Sequence, residues 1–427
     1  MGTVGGMRRW LLIGALAASC LPGAAWADSE VDILLDKLVD KGILSHVEAG
    51  QIRREISETK EARNKQLAKE IVPDSARNWK WKGDIRLRNE YFRDSGAPDN
   101  DRNRQRIRFR YGFESKVSDQ LKVAAQIATG TTTDPVSTND SFDDAFNKKP
   151  FNLDLAYLTY SPEVAGLDKV EFVGGVMPNP TWTVSPLVWD GDLNFDGVAV
   201  KVERKFESMK VFANASMNSL DTNLHESSQL WTTQGGSSIA PFADAGDEFL
   251  KNLKLETAIG YYNYGDVRGN TANDENNALS DAGGLKGNLL ASVHDWNLVN
   301  PSFQLSSMIS GLPVKFYGDW VHNAKPTEHQ NGFALGVGVG KAKKPWSLTE
   351  GWEAGYFYER IEPNATFGAF ADSDFGGGGT NNKGHVFYLT LATLKNSTLG
   401  AKYFDTEEVN DSKDHFDTLQ LDWVTKF

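Results

Sequence analysis

The last nine residues of the chain, Leu419 to Phe427, constrain its fold more than any other stretch. Leu419, Leu421, Trp423 and Phe427 occupy odd positions and Gln420, Asp422 and Lys426 even ones, with Val424 and Thr425 the exceptions. Side chains on a strand alternate between its faces, so this segment reads as a strand with one apolar and one polar face. Two architectures accept such a strand. A soluble sandwich would turn the apolar face to a core and the polar face to water. A transmembrane β-barrel would turn the apolar face to lipid and close the last strand on the first, because a spanning sheet can leave no edge unpaired. The rest of the chain has to decide.

Arg8 and Arg9 precede an apolar run from Trp10 to Leu21, and Ala25-Trp26-Ala27 offers a small-x-small cleavage site. This is the pattern of a secretory signal peptide over residues 1–27, with a mature chain expected to begin at Asp28. The single cysteine, Cys20, falls inside that segment; Ala17-Ala18-Ser19-Cys20 misses a lipoprotein site by lacking Leu three residues before Cys. A mature chain without cysteine excludes a disulfide-stapled domain and any thiolate metal site. The net charge of −12 argues against a nucleic-acid partner. Mean hydropathy is −0.44, and no later apolar run reaches the ~18 residues of a spanning helix. Barrel strands give only alternate residues to lipid, so this low average suits a barrel too.

Residues 28–78 differ from everything after them. Val31 to Val39 predict a short amphipathic helix ended by Gly42, and Ser45 with Glu48 makes a capping box for a second helix that Pro73 stops. The apolar spacing is loosely heptad, but Thr59 and Arg63 interrupt the seam. A trimerising or wall-contacting periplasmic coiled coil and a solvated helical spacer both fit. From Trp79 the period changes to two. One face carries Trp79, Trp81, Ile85, Leu87 and Tyr91; the other carries Lys80, Lys82, Asp84, Arg86, Arg88 and Glu90. Next come Ile107, Phe109, Tyr111 and Phe113 against Arg104, Arg106, Arg108 and Arg110. In a barrel these lysines and arginines line the lumen.

Alternating runs recur to the end of the chain, making fifteen clear segments. Short connections alternate with long ones rich in Gly, Asn and Asp, as barrels require. The alternation slips by one between Asn218 and Asn252, and a strand around Gln229–Gln234 repairs it. The prediction is therefore a sixteen-stranded antiparallel barrel over 79–427 with both ends on the periplasmic side. The third long connection, Met177 to Asp196, contains three prolines and the apolar Trp182, Leu187, Val188 and Trp189. A loop in water has no reason to be so apolar. Folded into the barrel, it would pack on the wall and present Asp190, Asp192 and Asp196 towards the arginines, giving a constriction with acids facing bases. The alternative is a loop capping the mouth, with the arginines merely paired to Asp84, Glu90 and Glu114.

Signals for catalysis are weak. The seven histidines show no zinc spacing, and there is no Gly-x-Ser-x-Gly elbow. A barrel lipase would need a Ser–His pair at the lipid-facing rim, and His322 and His385 have no evident serine partner in sequence. Gly376–Gly379 sits in an Asn-rich long connection and reads as a flexible segment, with Asp372 and Asp374 beside it as candidates for a surface cation.

Pro178-Asn179-Pro180, Leu187 to Asn194, Leu312 to Asp319 and Ser373-Asp374-Phe375-Gly376 resemble the "putative porin" family of Gram-negative outer membranes, over essentially the whole mature chain. Members of that family tend to carry a helical leader. The resemblance to general porins implies a homotrimer and a constriction-loop role for Asp190, Asp192 and Asp196. Trp423 and Phe427 resemble the terminal aromatic signal read by barrel-assembly machinery. The sequence thus predicts an outer-membrane porin: signal peptide 1–27, periplasmic helical leader 28–78 and barrel 79–427. It would be a passive diffusion channel for small hydrophilic solutes and ions, surrounded by outer-membrane lipid and needing no cofactor. The competing reading is a non-conducting scaffold or adhesin whose external loops bind a partner.

Overall fold

The computed structural model describes residues 33–71, 78–95, 101–143, 145–222, 227–265, 288, 296–410 and 415–427. The signal peptide, Cys20 and the expected start at Asp28 lie outside the described residues. The chain divides into two compact units, Met1–Arg77 and Asn78–Phe427.

In the first unit, helix α1 covers residues 33–40 and helix α2 covers His46–Ile71. Gly42, at φ +69°, lets the chain turn out of α1: its N–H reaches the Val39 carbonyl at 2.9 Å, and Ile43 N–H reaches Leu38 at 3.0 Å. The predicted capping box forms. Glu48 Oε2 accepts from Ser45 N–H at 2.8 Å while Ser45 Oγ accepts from Glu48 N–H at 3.2 Å. Leu35 and Ala49 are buried in this unit, and Arg53 pairs with Asp36 at 2.7 Å.

The second unit is a closed antiparallel barrel of sixteen long strands. Its first half comprises β1 (Trp79–Asp94), β2 (Arg102–Lys116), β3 (Leu121–Thr129), β4 (Phe151–Tyr160), β5 (Lys169–Pro178), β6 (Asn194–Lys205), β7 (Met209–Thr222) and β8 (Ser227–Ile239). The second half comprises β9 (Lys254–Gly265), β10 (Trp296–Ile309), β11 (Leu312–Asn323), β12 (Asn331–Ala342), β13 (Gly351–Ile361), β14 (Asn382–Leu394), β15 (Ser397–Glu408) and β16 (His415–Lys426). A two-residue strand at Asp140–Ser141 adds to β2 from inside a loop. Closure runs from Asp84↔Lys426 to Asp94↔Phe416 between β1 and β16. Beyond it, Gly83 and Phe427 exchange backbone hydrogen bonds of 2.8 and 3.0 Å. Gly83 is a close approach: a Cβ there would lie 2.8 Å from the Phe427 ring and 2.6 Å from the Arg110 carbonyl.

The strand around Gln229–Gln234 exists as β8 and hydrogen-bonds β7 on one side and β9 on the other. Its second half, Gly235-Gly236-Ser237-Ser238, has no alternation to read, so only its centre was visible in sequence.

Burial along the strands decides between sandwich and barrel. Trp81 is 52% exposed, Leu87 41% and Trp423 49%, whereas Asp84, Arg88 and Glu90 on the opposite face are buried. A water-soluble sheet does the reverse. This inside-out polarity places the apolar faces where lipid belongs and the charged faces in the lumen. The chain termini of the barrel and its short turns share one end; the long loops share the other.

Candidate functional site in the barrel lumen

Three loops at the long-loop end fold into the barrel. They connect β3–β4, β5–β6 and β13–β14 and are designated L2, L3 and L7 here. L3 is anchored along its length. Gln234 of β8 clamps Trp182 through both backbone groups at 2.8 Å each, and Ser185 Oγ donates to Asp319 of β11 at 2.6 Å. Leu187, Val188 and Trp189 are buried, with the Trp189 ring 5.0 Å from Tyr262 and 5.2 Å from Phe195. The apolar body of this loop is therefore packed inside, against wall residues.

L7 was not foreseen as a partner. Far from being a flexible segment, it buries Phe367, Phe370 and Phe375, and Phe367 stacks on Tyr264 at 5.6 Å and meets Trp296 edge-on at 5.8 Å. Gly376 to Gly379 all take positive φ, between +59° and +97°. Four consecutive left-handed residues are a defined turn that only glycine enters without strain, so the run is shape and not slackness. Asp372 and Asp374 are not a surface cation site either. Asp372 is buried, Asp374 is held by Arg88, and no cluster of three or more potential metal ligands occurs among the described residues.

The loops are tied to one another. Asp190 N–H donates to the Phe370 carbonyl at 2.8 Å, Ser373 N–H donates to Asp190 Oδ2 at 2.8 Å, and Ser373 Oγ donates to the Val136 carbonyl at 3.1 Å. Asp192 Oδ2 accepts from Thr138 Oγ1 at 2.9 Å. One apolar cluster joins Val136, Leu187, Trp189, Phe367 and Phe370 to Tyr262, Tyr264, Trp296 and Phe404 of the wall. The β9–β15 half of the lumen is thus packed by apolar contacts, and the β1–β2–β16 half is charged.

On the charged wall, Asp84 bridges Arg108 Nε at 2.9 Å and Arg110 Nε at 2.8 Å. Asp192 of L3 faces the same two arginines, 3.8 Å from Arg108 Nη1 and 3.5 Å from Arg110 Nη1. Arg88 is held by both oxygens of Asp422, at 2.8 and 2.9 Å, and by Asp374 at 3.1 Å. Arg104 pairs with Glu90. Arg86 and Arg106 instead donate to neutral L2 groups, Asn139 Oδ1 at 2.5 Å and Ser137 Oγ at 3.2 Å.

The structure therefore brings together Asp192, Arg86, Arg88, Arg104, Arg106, Arg108 and Arg110, but not every expected residue. Asp190 points to L7 and meets no arginine among the described residues. Asp196 is the third residue of β6, on the same outward face as Val198, which is 53% exposed, and opposite Val176 in register. The strand period of two decides this: Phe195 and Ala199 take the buried face, so Asp196 cannot. Lys80 and Lys82 keep the lumen parity but lie exposed at the short-turn end, with Lys82 3.8 Å from Glu114. The alternative reading paired the arginines with Asp84, Glu90 and Glu114; the first two do hold arginines, while Glu114 takes Lys82. It missed Asp374, Asp422, Ser137 and Asn139. A signal for L7 was available in Ala365-Thr366-Phe367-Gly368-Ala369-Phe370, as apolar for a loop as L3. His322 and His385 bond to Asn331 and Tyr356 respectively.

Burial, with the Asp372 carboxylate second, pushes the Asp190 carboxyl up to about 8, against two backbone N–H groups that pull it down. A carboxyl raised in the folded state stabilises below its unfolded value and loses that contribution as pH rises. For Asp190 the loss runs between about 4 and 8. The thermal midpoint is expected to be higher at pH 5 than at pH 8, and Asp190→Asn should flatten this dependence. Melting curves of the refolded barrel at both pH values check it; an unaltered slope in the variant would rule Asp190 out as its source.

A family model described as "Putative porin" matches residues 92–316 and 299–427. No curated protein matches the sequence. Among solved structures, the high-pH form of Pseudomonas putida OprB shares 11% identity, with 82% of this chain and 94% of that chain covered and a TM-score of 0.52. Salmonella typhi OmpF, solved with daunomycin, shares 8% identity over 82% and 97% of the two chains with a TM-score of 0.47. A loop-deleted OmpT of Vibrio cholerae shares 12% over 82% and 99%, at 0.42. The likeness to OprB is one of fold.

Proposed function

The chain belongs to the putative porin family, and from that premise we propose that it is a passive diffusion channel of the outer membrane for small hydrophilic solutes and ions. The observation that carries this reading is the placement of Asp192. It brings a carboxylate on an inward-folded loop opposite two wall arginines inside a closed, inside-out barrel. Opposed charges across a narrow passage order water and orient dipolar solutes, and their balance sets ion preference. L3 is the constriction in this reading, with Asp192 its acidic side and Arg108 and Arg110 its basic side. Export by the 1–27 signal peptide, a helical leader over 28–78, assembly as a homotrimer, and recognition of Trp423 and Phe427 by assembly machinery complete the proposal. The sequence pattern of residues 1–27 supports the first, the capped helices the second, and the resemblance to porins the other two.

Planar-bilayer recording of the refolded, signal-free protein under a KCl gradient tests the reading. Steady ion-conducting steps are expected. Asp192→Asn removes the anion facing Arg108 and Arg110, so its reversal potential should move toward that of chloride; no movement would take Asp192 out of the passage. A second reading, the non-conducting scaffold, is favoured by the apolar cluster that packs three loops into the lumen. Silence from protein shown to be folded and inserted would select it.

A further inference from the structure

We propose that the charged wall holds a binding site for a small oxyanion that also carries an O–H, such as hydrogen phosphate, with Arg106 as its main ligand and Arg86 as a second station deeper in the lumen. The argument begins with register. Arg86 lies directly across from Arg108, and Arg88 directly across from Arg106. Like charges at opposed positions destabilise a strand pair, and the repulsion is stronger inside a barrel than in water. Four carboxylates relieve part of it: Asp84 and Asp192 hold Arg108, and Asp374 and Asp422 hold Arg88. None of the described carboxylates pairs with Arg86 or Arg106. Their guanidinium groups rest on an amide and a hydroxyl, and the Nε of each is buried without a hydrogen-bond partner. Both arginines are half-buried and feel carboxylates only at longer range; a cation drawn from water without a direct partner is under-compensated, so a counter-charge supplied from outside gains what the fold omits.

The surroundings of Arg106 narrow the ligand. It borders a cavity of about 150 Å³, below the ~300–1,000 Å³ of sites for drug-sized molecules. The other charged groups there are Arg102, Arg104, Glu90, Asp134 and Asp374. Glu90 is engaged by Arg104, Asp374 by Arg88, and Asp134 by the Val136 N–H. Gln420, buried on the same cavity, has an Oε1 without a partner. An ion with one anionic oxygen for the Arg106 donor and one O–H for the Gln420 acceptor satisfies both atoms, which chloride cannot do. Because β2 runs from the long-loop end inward, an ion taken up at Arg106 meets Arg86 next, beside Asn139.

This inference rests on the channel reading for how the ion arrives, but binding is measured without it. Isothermal titration of the detergent-refolded full chain with sodium phosphate is expected to show saturable binding, weakened tenfold or more by Arg106→Gln. Ser137→Asp keeps both arginines and sets a carboxylate beside Arg106; it should abolish phosphate binding while raising the thermal midpoint, which separates lost affinity from lost fold. Absence of wild-type binding, or wild-type affinity in either variant, would overturn the site. Phosphate binding by a barrel silent in the bilayer would overturn the channel alone; conduction without phosphate binding would overturn the site alone.

Discussion

Truncating Trp189 to alanine is expected to lower the stability of the barrel by about 3–5 kcal/mol, the range for large aromatic deletions from packed cores, and to raise its single-channel conductance. The indole is 3% exposed and contacts Phe195, Tyr262, Tyr264 and Phe370, so one side chain joins L3 to its own exit strand, to β9 and to L7. Its removal leaves a cavity that the surrounding strands cannot close, because their registers are held by ladders on both sides. L3 and L7, which have no ladder of their own, are the elements free to move. Larger and noisier KCl steps with a lowered thermal midpoint are the expected pair of readouts. Unchanged conductance with a lowered midpoint would mean that L3 does not limit the passage.

The second large effect concerns Arg88. Arg88→Gln strands two carboxylates, Asp374 and Asp422, which the guanidinium now holds with four donor–acceptor contacts of 2.8–3.2 Å. Removing one partner of a buried ion pair typically costs about 3–5 kcal/mol. Burial pushes the Asp374 carboxyl up, but the Arg88 and Lys402 charges outweigh it and hold it well below the usual carboxylate range. A depressed carboxyl contributes stability that is present above its unfolded value and is lost as pH falls. The variant should therefore lose most at neutral pH and approach the wild type in acid, where protonation removes the uncompensated charge. Urea unfolding at pH 2.5, below the unfolded value of about 4, and at pH 7 reads the difference. A gap between variant and wild type that is as wide at pH 2.5 as at pH 7 would show that Arg88 acts through packing and not through its charge.

Much of this molecule was legible beforehand for a simple reason. A period of two is a local property, and a barrel repeats it at every strand, so Trp79 to Tyr91 and Leu419 to Phe427 each announced their faces without reference to the other. The count of sixteen followed from alternating short and long connections, including the slip that β8 repairs. The apolar body of L3 was also visible, since Trp182, Leu187, Val188 and Trp189 have no place in water. Asp196 went wrong at a boundary: the loop ends two residues before it, and a position inside a strand obeys the strand's parity.

What the sequence could not hold was the pairing of distant charges. Asp374 reaches Arg88 across 286 positions and Asp422 reaches it across 334. No local pattern links such residues, because barrel closure, not spacing, brings β16 beside β1. The packing of L7 was hidden for a related reason: its aromatics find Tyr264 and Trp296, which stand on the inward face of strands whose outward face is also apolar, so alternation alone was silent there. Sequence by itself determined that this chain folds as a sixteen-stranded barrel with lipid outside and charge inside, because those features repeat along one strand at a time. Tertiary structure alone decided which half of the lumen three loops fill and which arginines remain without a carboxylate, because both depend on segments hundreds of residues apart meeting inside a closed wall.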